Sequence, residues 1–357
     1  MYKIAFTGGG TAGHIIPNIA LMDSLDNKQY SFIYVGQSDS MEEQIIKQKG
    51  VTFYPISAGK LRRYFSWKNV SDVFRVIKGF FQAKKILREQ SPDLLFSKGG
   101  FVCVPVVYAA HFLHIPIIIH ESDLTLGLAN RLSAPIADFI CYTFEQTGSR
   151  IGRKNIRHTG IPIRKELLSG ERDKGLKLCG FDGNLPVVLV LGGSLGSQSI
   201  NVALNSQLEA LTEIFQVCHI CGKNNRSIHS IPNRYQSFEY VNEDLAHLYA
   251  MADLIVARAG ATTVYEILKL RKPGLLVPLP LNASRGDQIE NCKILSKAEL
   301  ANVLYEENLT PENLVQKIIE TYNNKSIYIN NIANYDIKDG NEELINAIQE
   351  LLKRQQS

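Results

Sequence analysis

Short apolar runs alternate with amphipathic stretches along the first half of the chain. Each run is rich in Ile, Val, Leu or Phe and is followed by apolar positions at the three- and four-residue spacing of a helix. Strands that alternate with helices in this way form a parallel, doubly wound sheet. The predicted strands read KIAF, SFIYVG, VTFYPI, DLLFS, IPIIIH and DFICYT.

The same pattern starts again after a polar connection. The second set of predicted strands reads PVVLVLGG, FQVCHICG, FEYV, DLIVA, GLLVP and ANVLY. Between the two sets, the stretch from Arg150 to Pro186 is polar and rich in turn-forming Gly and Pro. We therefore predict Rossmann-like domains over residues 1–160 and 161–340. The tail, residues 341–357, is predicted to be a helix that packs on the second domain or crosses back to the first.

Composition supports a folded protein and sets limits on its class. A length of 357 residues exceeds what one core usually organises, and 45% hydrophobic with 21% charged residues is ordinary globular usage. The first residues lack the features of a secretory signal and no run approaches about 18 apolar residues, so we expect an intracellular protein without a spanning helix. The six cysteines should then be free thiols, and the Cys218–Cys221 pair is better explained by a buried strand than by zinc.

Three glycine loops follow predicted strands. GGGTAGH over residues 8–14 matches the GxGxxG spacing, GGSLGS covers residues 192–197, and SKGGF covers residues 97–101. Glycines at such positions let backbone N–H groups approach phosphate at a helix start. A dinucleotide site would also need an acid at the end of the second strand, which instead ends in Val35, Gly36 and Gln37. We therefore expect a cleft that binds two diphosphates, and not a dehydrogenase.

Polar residues gather after two strands of the second half. RAGATTVYE, residues 258–266, would place Ala261, Thr262 and Thr263 at a helix amino end, with Glu266 one turn deeper. A carboxylate there can accept both ribose hydroxyls, although a solvated helix glutamate is the plainer alternative. SRGDQIEN, residues 284–291, adds further hydrogen-bonding groups. Since no apolar-flanked Asp-x-Asp occurs, we expect no metal and no cofactor, with helix N-termini and Arg164 stabilising the leaving group.

The segment from Lys60 to Arg88 is both basic and apolar. It carries nine basic residues against the single acid Asp72, although the whole chain has a net charge of only +4. A helix that packs on the core with a solvated basic back is one interpretation. The width of the apolar set and the single sign of the charges favour docking on an anionic membrane surface. The apolar residues are Trp67, Val70, Val73, Phe74, Ile77, Phe80 and Phe81.

Together these motifs resemble the MurG family of peptidoglycan synthesis. The resemblance runs through TGGGTAGHIIP, GKLRRYFSW, LLFSKGGF, HESDLTLGLANR, TGIPIR, GGSLGS, RAGATTVYE and SRGDQIEN. It implies a GT-B fold, in which two Rossmann-like domains with parallel sheets face each other across a cleft. It also implies inverting transfer of GlcNAc from UDP-GlcNAc to the C4 hydroxyl of lipid-linked MurNAc, which converts lipid I to lipid II.

The same resemblance implies where the protein works and with what. It implies a peripheral protein at the cytoplasmic face of the cell membrane, with a role in cell wall biogenesis, cell shape and cell division. The implied partners are UDP-GlcNAc, lipid I, an anionic membrane surface, and proteins of cell-wall synthesis and division, but no nucleic acid.

The resemblance also assigns residues to the two substrates. The acceptor set is Gly9, Gly10, Thr11, Gly13, Gly99, Gly100 and Asn130. The donor set is Arg164, Ser194, Asn201, Arg258, Ala261, Thr263, Glu266, Gln288 and Asn291. Many Gram-negative members have Asn in place of Asp123 and Gln in place of Asp287, so sugar contacts do not transfer at these two positions.

The identity of the catalytic base stays open at this point. His14 titrates near neutrality, and the helix start beside it favours its neutral, proton-accepting form. Glu121, at the end of IPIIIH, would need burial to become basic enough. We favour His14, which could alternatively only donate to phosphate. The rival functions are another GT-B enzyme, either a UDP-GlcNAc 2-epimerase or a lipid glucosyltransferase, and a non-catalytic sugar-nucleotide or membrane-binding module.

Overall fold

The chain divides into two compact units. The computed structural model describes residues 1–10, 12–59, 67–193, 196–226, 229 and 231–355. The first unit contains Met1–Arg164 together with Lys338–Ser357, and the second contains Lys165–Ile337. The division falls four residues beyond the boundary expected at 160, and the C-terminal segment belongs to the first unit.

A parallel sheet of seven strands forms the centre of the first unit. Its strands are β1 Tyr2–Thr7, β2 Tyr30–Gln37, β3 Thr52–Ile56, β4 Leu94–Ser97, β5 Ile117–Glu121, β6 Phe139–Tyr142 and β7 Ile156–His158. Its helices are α1 Ala12–Ser24, α2 Met41–Gln48, α3 Trp67–Gln90, α4 Cys103–Phe112, α5 Leu128–Ser133, α6 Glu145–Ile151 and the C-terminal α15 Gly340–Arg354, with a 3-10 turn at Ala134–Ile136. The strand order β3-β2-β1-β4-β5-β6-β7 reverses between β1 and β4, where doubly wound sheets bind ligands.

Helices cover both faces of this sheet, which explains why its strands read as almost continuous apolar runs. On one face, Leu344, Ile348 and Leu351 of α15 join Phe6 and Phe96 in a buried cluster. The other face packs against α3 and α4. The side chain of Asp339 caps α15 by accepting from the backbone N–H groups of residues 341 and 342, each at 3.1 Å. The C-terminal helix is therefore part of the first unit's core.

A parallel sheet of six strands forms the centre of the second unit, in the order β10-β9-β8-β11-β12-β13. Its strands are β8 Val187–Leu191, β9 Gln216–Ile220, β10 Tyr235–Phe238, β11 Leu254–Arg258, β12 Gly274–Val277 and β13 Asn302–Val303. Its helices are α7 Arg172–Cys179, α8 Gln198–Ser206, α9 Leu208–Thr212, α10 Leu245–Met251, α11 Ala261–Lys269, α12 Asp287–Lys297, α13 Pro311–Asn323 and α14 Lys325–Asn334, with 3-10 turns at Lys165–Ser169 and Glu306–Asn308.

The structure confirms the parallel α/β class and corrects three details of the prediction. β7 was not predicted, because this edge strand is only partly buried along its length and has no apolar alternation. β10 covers Tyr235–Phe238 and not the predicted FEYV, since Tyr235 and Ser237 are the inward-facing positions. The polar stretch 150–186 is not only a connection, because it contains β7 and α7.

The six cysteines are free thiols and all are buried. Cys218 lies within β9 and Cys221 follows directly after it, as expected for thiols on a covered strand. Over the described residues, no helix is both long and apolar enough to cross a bilayer.

Candidate active site

Two glycine loops of the first unit meet where the strand order reverses. The loop after β1 contacts the loop after β4 through backbone hydrogen bonds, from the Gly9 N–H to the Gly99 carbonyl at 3.3 Å and from the Lys98 N–H to the Thr7 carbonyl at 2.9 Å. A Cβ atom on residue 100 would lie 2.2 Å from the Gly9 carbonyl oxygen. The two backbones can therefore come this close only because residue 100 is glycine. Gly13 is exposed in the first turn of α1, and Thr11 lies outside the described residues.

The buried Glu121 carboxylate organises the loop that follows β5. One oxygen accepts from the Asp123 N–H at 3.1 Å, and the other accepts from the Gly127 N–H at 2.8 Å and from Asn130 Nδ2 at 2.9 Å. Asn130 Nδ2 also donates to the His120 carbonyl at 3.0 Å. Both oxygens of the Glu121 carboxylate therefore accept hydrogen bonds, as expected for a side chain that fixes the conformation of a loop.

His14 is half-buried in the first turn of α1, beside these loops. It lies close enough to His120 for a positive charge on His14 to lower the pKa of His120. His14 and Glu121 therefore belong to the same polar region at the carboxyl edge of the first sheet.

A buried amine that the sequence interpretation missed lies beneath this region. Lys98 follows β4 and is 1% exposed; its Nζ is 2.6 Å from His120 Nδ1 and also bonds to the Ser122 hydroxyl. His120 Nε2 lies 2.7 Å from the Gly160 carbonyl and is therefore the protonated nitrogen. Burial lowers the pKa of Lys98 to about 7 and the pKa of His120 well below its ordinary value. The lysine in the motif SKGGF was the sequence feature that could have indicated this buried amine.

In the second unit, Arg258 at the end of β11 ties together the residues after the glycine loop. Its guanidinium donates to Ser197 Oγ at 2.7 Å, to Ser199 Oγ at 2.9 Å and to a Glu306 carboxylate oxygen at 3.3 Å. Burial alone would raise the pKa of Glu306, but hydrogen bonds from Arg258 and Ser199 outweigh it and leave this pKa below its usual value. Ser197 also caps α8, accepting from the residue 200 N–H at 3.4 Å. Ser194 lies outside the described residues.

Asn201 on α8 joins a second buried network. Its amide donates to the Cys221 carbonyl at 2.9 Å, and its oxygen lies 2.9 Å from His219 Nε2. The other ring nitrogen of His219 is 3.0 Å from the Tyr235 hydroxyl. Asn201 thus joins α8 to β9, directly beneath the glycine loop.

The amino end of α11 carries the remaining donor candidates. Gly260 is its N-cap and has no side chain to cap the helix, and Ala261 and Thr263 lie in its first turn. Glu266 is 5% exposed and accepts from the Tyr249 hydroxyl at 3.0 Å, so it is not the solvated glutamate of the alternative interpretation. Backbone N–H groups and a buried carboxylate therefore adjoin at one end of one helix.

The other donor candidates are distributed over both units. Gln288 accepts from the Leu279 N–H at 3.0 Å, and Asn291 is buried on the same helix, α12. Arg164 was expected in the second domain, but it belongs to the first unit, at the end of that unit's N-terminal segment. The structure therefore brings the donor candidates of β11, α8, α11 and α12 into one unit and leaves Arg164 in the other.

An exposed apolar surface lies on α3 and α4, and we call it the α3–α4 patch. The most exposed members are Phe74 at 68%, Phe81 at 62% and Phe112 at 57%. Basic side chains adjoin it, with Lys84 Nζ 3.5 Å from the centroid of the Phe112 ring. Phe80, Ala83 and Leu87 of the same helix pack into the core. The patch consists of Val73, Phe74, Ile77, Phe81 and Phe112; residues 60–66 and the side chains of residues 67–71 lie outside the described part.

Comparison with known proteins agrees with this architecture. The glycosyltransferase family 28 N-terminal domain matches residues 4–141, and the family 28 C-terminal domain matches residues 187–354. In fold, the chain is similar to the crystal structure of Acinetobacter baumannii MurG, with a TM-score of 0.75, 23% identity and coverage of 98% of this chain and 100% of that one. It is also similar to the glycosyltransferase of kitacinnamycin, with a TM-score of 0.73, 15% identity and coverage of 98% and 99%. The fold is that of the GT-B glycosyltransferases.

Sequence identity narrows the class further. The chain is 48% identical over 356 residues to the UDP-N-acetylglucosamine–N-acetylmuramyl-(pentapeptide) pyrophosphoryl-undecaprenol N-acetylglucosamine transferase of Clostridium botulinum strain Kyoto, covering 99% of both chains. It therefore belongs to the N-acetylglucosamine transferases of this type within glycosyltransferase family 28.

Proposed function

We propose that this chain transfers GlcNAc from UDP-GlcNAc to the C4 hydroxyl of MurNAc in undecaprenyl-pyrophosphoryl-MurNAc-pentapeptide, with inversion at the anomeric carbon. The observation that carries the proposal is identity of 48% over 99% of the chain to a transferase of that name. The fold alone would not select the acceptor, since glycosyltransferases of other products share it.

The first unit supplies the acceptor site in this proposal. The two loops that contain Gly9, Gly10, Gly99 and Gly100 bind the acceptor diphosphate, since loops at strand ends and helix starts favour anions. Inversion requires a base for the acceptor hydroxyl. Because the Glu121 carboxylate already accepts from two backbone N–H groups and Asn130, the contacts favour His14 as the base and Glu121 as the residue that fixes its loop.

The second unit supplies the donor site. The amino end of α11, where the N-cap is Gly260, and the loop before α8 offer N–H groups to the UDP diphosphate, with Ser194, Ala261 and Thr263 at these positions. Glu266 accepts the ribose hydroxyls, while Gln288 and Asn291 bind GlcNAc hydroxyls. Arg258 positions the α8 end through Ser197 and Ser199. Arg164 adds positive charge for the leaving group.

The α3–α4 patch is the proposed membrane contact. Exposed aromatic rings beside Arg75, Lys78 and Lys85 suit the anionic cytoplasmic leaflet, where each near-surface cation contributes about 1 kcal/mol. A peripheral location of this kind lets the protein reach a diphosphate whose lipid stays in the bilayer. The same location would bring it to the proteins of cell-wall synthesis and division.

Transfer of labelled GlcNAc from UDP-GlcNAc to lipid I, or to a short-chain analogue, tests the proposal. Label in the acceptor product, formed only when acceptor is present, would support it. Conversion of UDP-GlcNAc without acceptor would instead indicate the epimerase. With UDP-glucose as donor in a parallel assay, transfer of glucose to a lipid would indicate a lipid glucosyltransferase. UDP binding without any turnover would indicate a non-catalytic module.

A further inference from the structure

A buried carboxylate that the proposed reaction does not use lies behind the first glycine loop. Glu42 lies in the first turn of α2 and is 2% exposed. One of its oxygens accepts from the Gln37 N–H at 2.6 Å, and the Gly10 backbone N–H lies close enough to the carboxylate to lower its pKa. Glu42 thus joins α2 to the end of β2 and to the loop proposed to bind the acceptor diphosphate.

The chain leaves room for this carboxylate by placing glycine at two strand ends. A Cβ on Gly9 would lie 2.1 Å from Glu42 Oε2, and a Cβ on Gly36 would lie 2.5 Å from Glu42 Oε1. Any other residue at either position would push the carboxylate away from the Gly10 N–H. The two glycines therefore form a socket for Glu42, in addition to any role in approaching a phosphate.

We propose that Glu42 is a positioning residue for the acceptor loop, and that its negative charge opposes binding of the acceptor diphosphate until the carboxylate takes up a proton. The proposal rests on the proposed function for the acceptor, but the contact with Gly10 does not. When ionised, Glu42 attracts the nearby Gly10 N–H and places a negative charge behind a loop that must bind an anion. When neutral, it keeps an oxygen for the N–H and removes the repulsion.

The surroundings make this proton uptake accessible at physiological pH. Burial raises the pKa of Glu42 to about 7, against the backbone N–H groups of Gln37 and Gly10, which lower it. The groups that face it are Tyr34 of β2, Cys103 of α4 and Glu43 of its own helix. Burial raises the pKa of Tyr34 well above its usual value and that of Cys103 to about 12, while a hydrogen bond from Lys47 lowers that of Glu43. Of these four groups, only Glu42 titrates near neutrality.

Acceptor kinetics against pH test the proposal. With a short-chain lipid I analogue between pH 6 and 8.5, we expect the acceptor KM of the wild type to rise about three- to tenfold as Glu42 ionises, with little change in kcat. Glu42→Gln, which has the same shape without the charge, should remove this rise. Glu42→Asp should keep the rise but have a higher KM at every pH, because its shorter side chain cannot reach Gly10. Glu43→Gln, one residue along the same turn, should behave as the wild type.

A second measurement does not depend on transfer. In the free protein labelled with 15N-glycine, the Gly10 amide resonance should shift with a midpoint near pH 7, and this shift should be absent in Glu42→Gln. If the wild type transfers no GlcNAc but the amide titrates, the proposed function fails while the contact stands. If Glu42→Gln is unfolded, Glu42→Asp and the wild-type titration carry the test. A wild-type Gly10 amide that does not move, or a Glu42→Gln profile that still rises through pH 7, would overturn the inference.

Discussion

Glu266 offers the sharpest test of the donor site, because its side chain is held in place before any ligand binds. The carboxylate is 5% exposed and accepts from the Tyr249 hydroxyl at 3.0 Å. Hydrogen bonds to a charged group contribute about 1.5–3 kcal/mol each, and 1.4 kcal/mol is a factor of ten in affinity. Glu266→Gln keeps one acceptor oxygen but loses the charge, so we expect the UDP-GlcNAc KM to rise about 10- to 100-fold. Glu266→Ala should raise it about 10²- to 10³-fold.

The assay is steady-state transfer with the donor varied at saturating acceptor, and then with the acceptor varied at saturating donor. The acceptor KM should stay unchanged in both variants, since Glu266 belongs to the second unit. Glu209→Gln, an exposed glutamate on α9, is the matched control and should leave both KM values unchanged. Thermal unfolding of each variant separates loss of binding from loss of structure. A Glu266→Ala enzyme with an unchanged donor KM would refute the ribose assignment.

Four further predictions follow from the remaining sites. His14→Ala should lower kcat by roughly 10²- to 10⁴-fold with both KM values little changed; a raised acceptor KM with a mild kcat effect would make His14 a phosphate ligand. Lys98→Met should resist urea better than the wild type at pH 7. This difference should shrink as pH rises towards 10, because the buried amine has a pKa of about 7 against an ordinary 10.5 and loses a proton on folding; equal stability at pH 7 would contradict it. EDTA should leave activity intact, whereas loss that Mg²⁺ or Mn²⁺ restores would contradict the absence of a metal requirement. Reversing the charges at Arg75, Lys78 and Lys85 should weaken binding to anionic liposomes, measured by sedimentation, at least about 10²-fold without unfolding, and unchanged sedimentation would place membrane contact elsewhere.

The sequence predicted most strands of both sheets because parallel strands covered on both faces are continuous apolar runs. The prediction failed at β7, where the strand is only partly buried, and at β10, where buried and partly exposed residues alternate. The glycine loops were predictable for a related reason, since glycine at the end of a strand is a local signal. Gly10, Gly99 and Gly100 all have positive φ angles, of 97°, 90° and 92°.

The roles of the carboxylates were not predictable, because they depend on contacts between residues distant in sequence. Glu121 and Glu42 are both acids near the acceptor loops, yet nothing local distinguishes a base from an anchor. The distinction comes from the donors around each: two backbone N–H groups and Asn130 for Glu121, and the N–H groups of Gln37 and Gly10 for Glu42. Glu42 lies in a short helix whose first turn reads as an ordinary acidic start.

The socket for Glu42 shows which long-range signal the sequence did contain. Gly9 follows β1, and Gly36 lies near the end of the adjacent parallel strand β2. A Cβ atom on either residue would collide with the Glu42 carboxylate. A phosphate loop explains Gly9 but gives no reason for Gly36, which is where a dinucleotide enzyme would approach its ribose acid. The absence of an acid at the end of β2 excluded a dinucleotide enzyme. Gly36, at the same strand end, instead makes room for Glu42, which lies on the next helix and faces the first glycine loop. In this chain, a glycine near the end of the second strand and a glutamate in the next helix together place a carboxylate behind the first glycine loop.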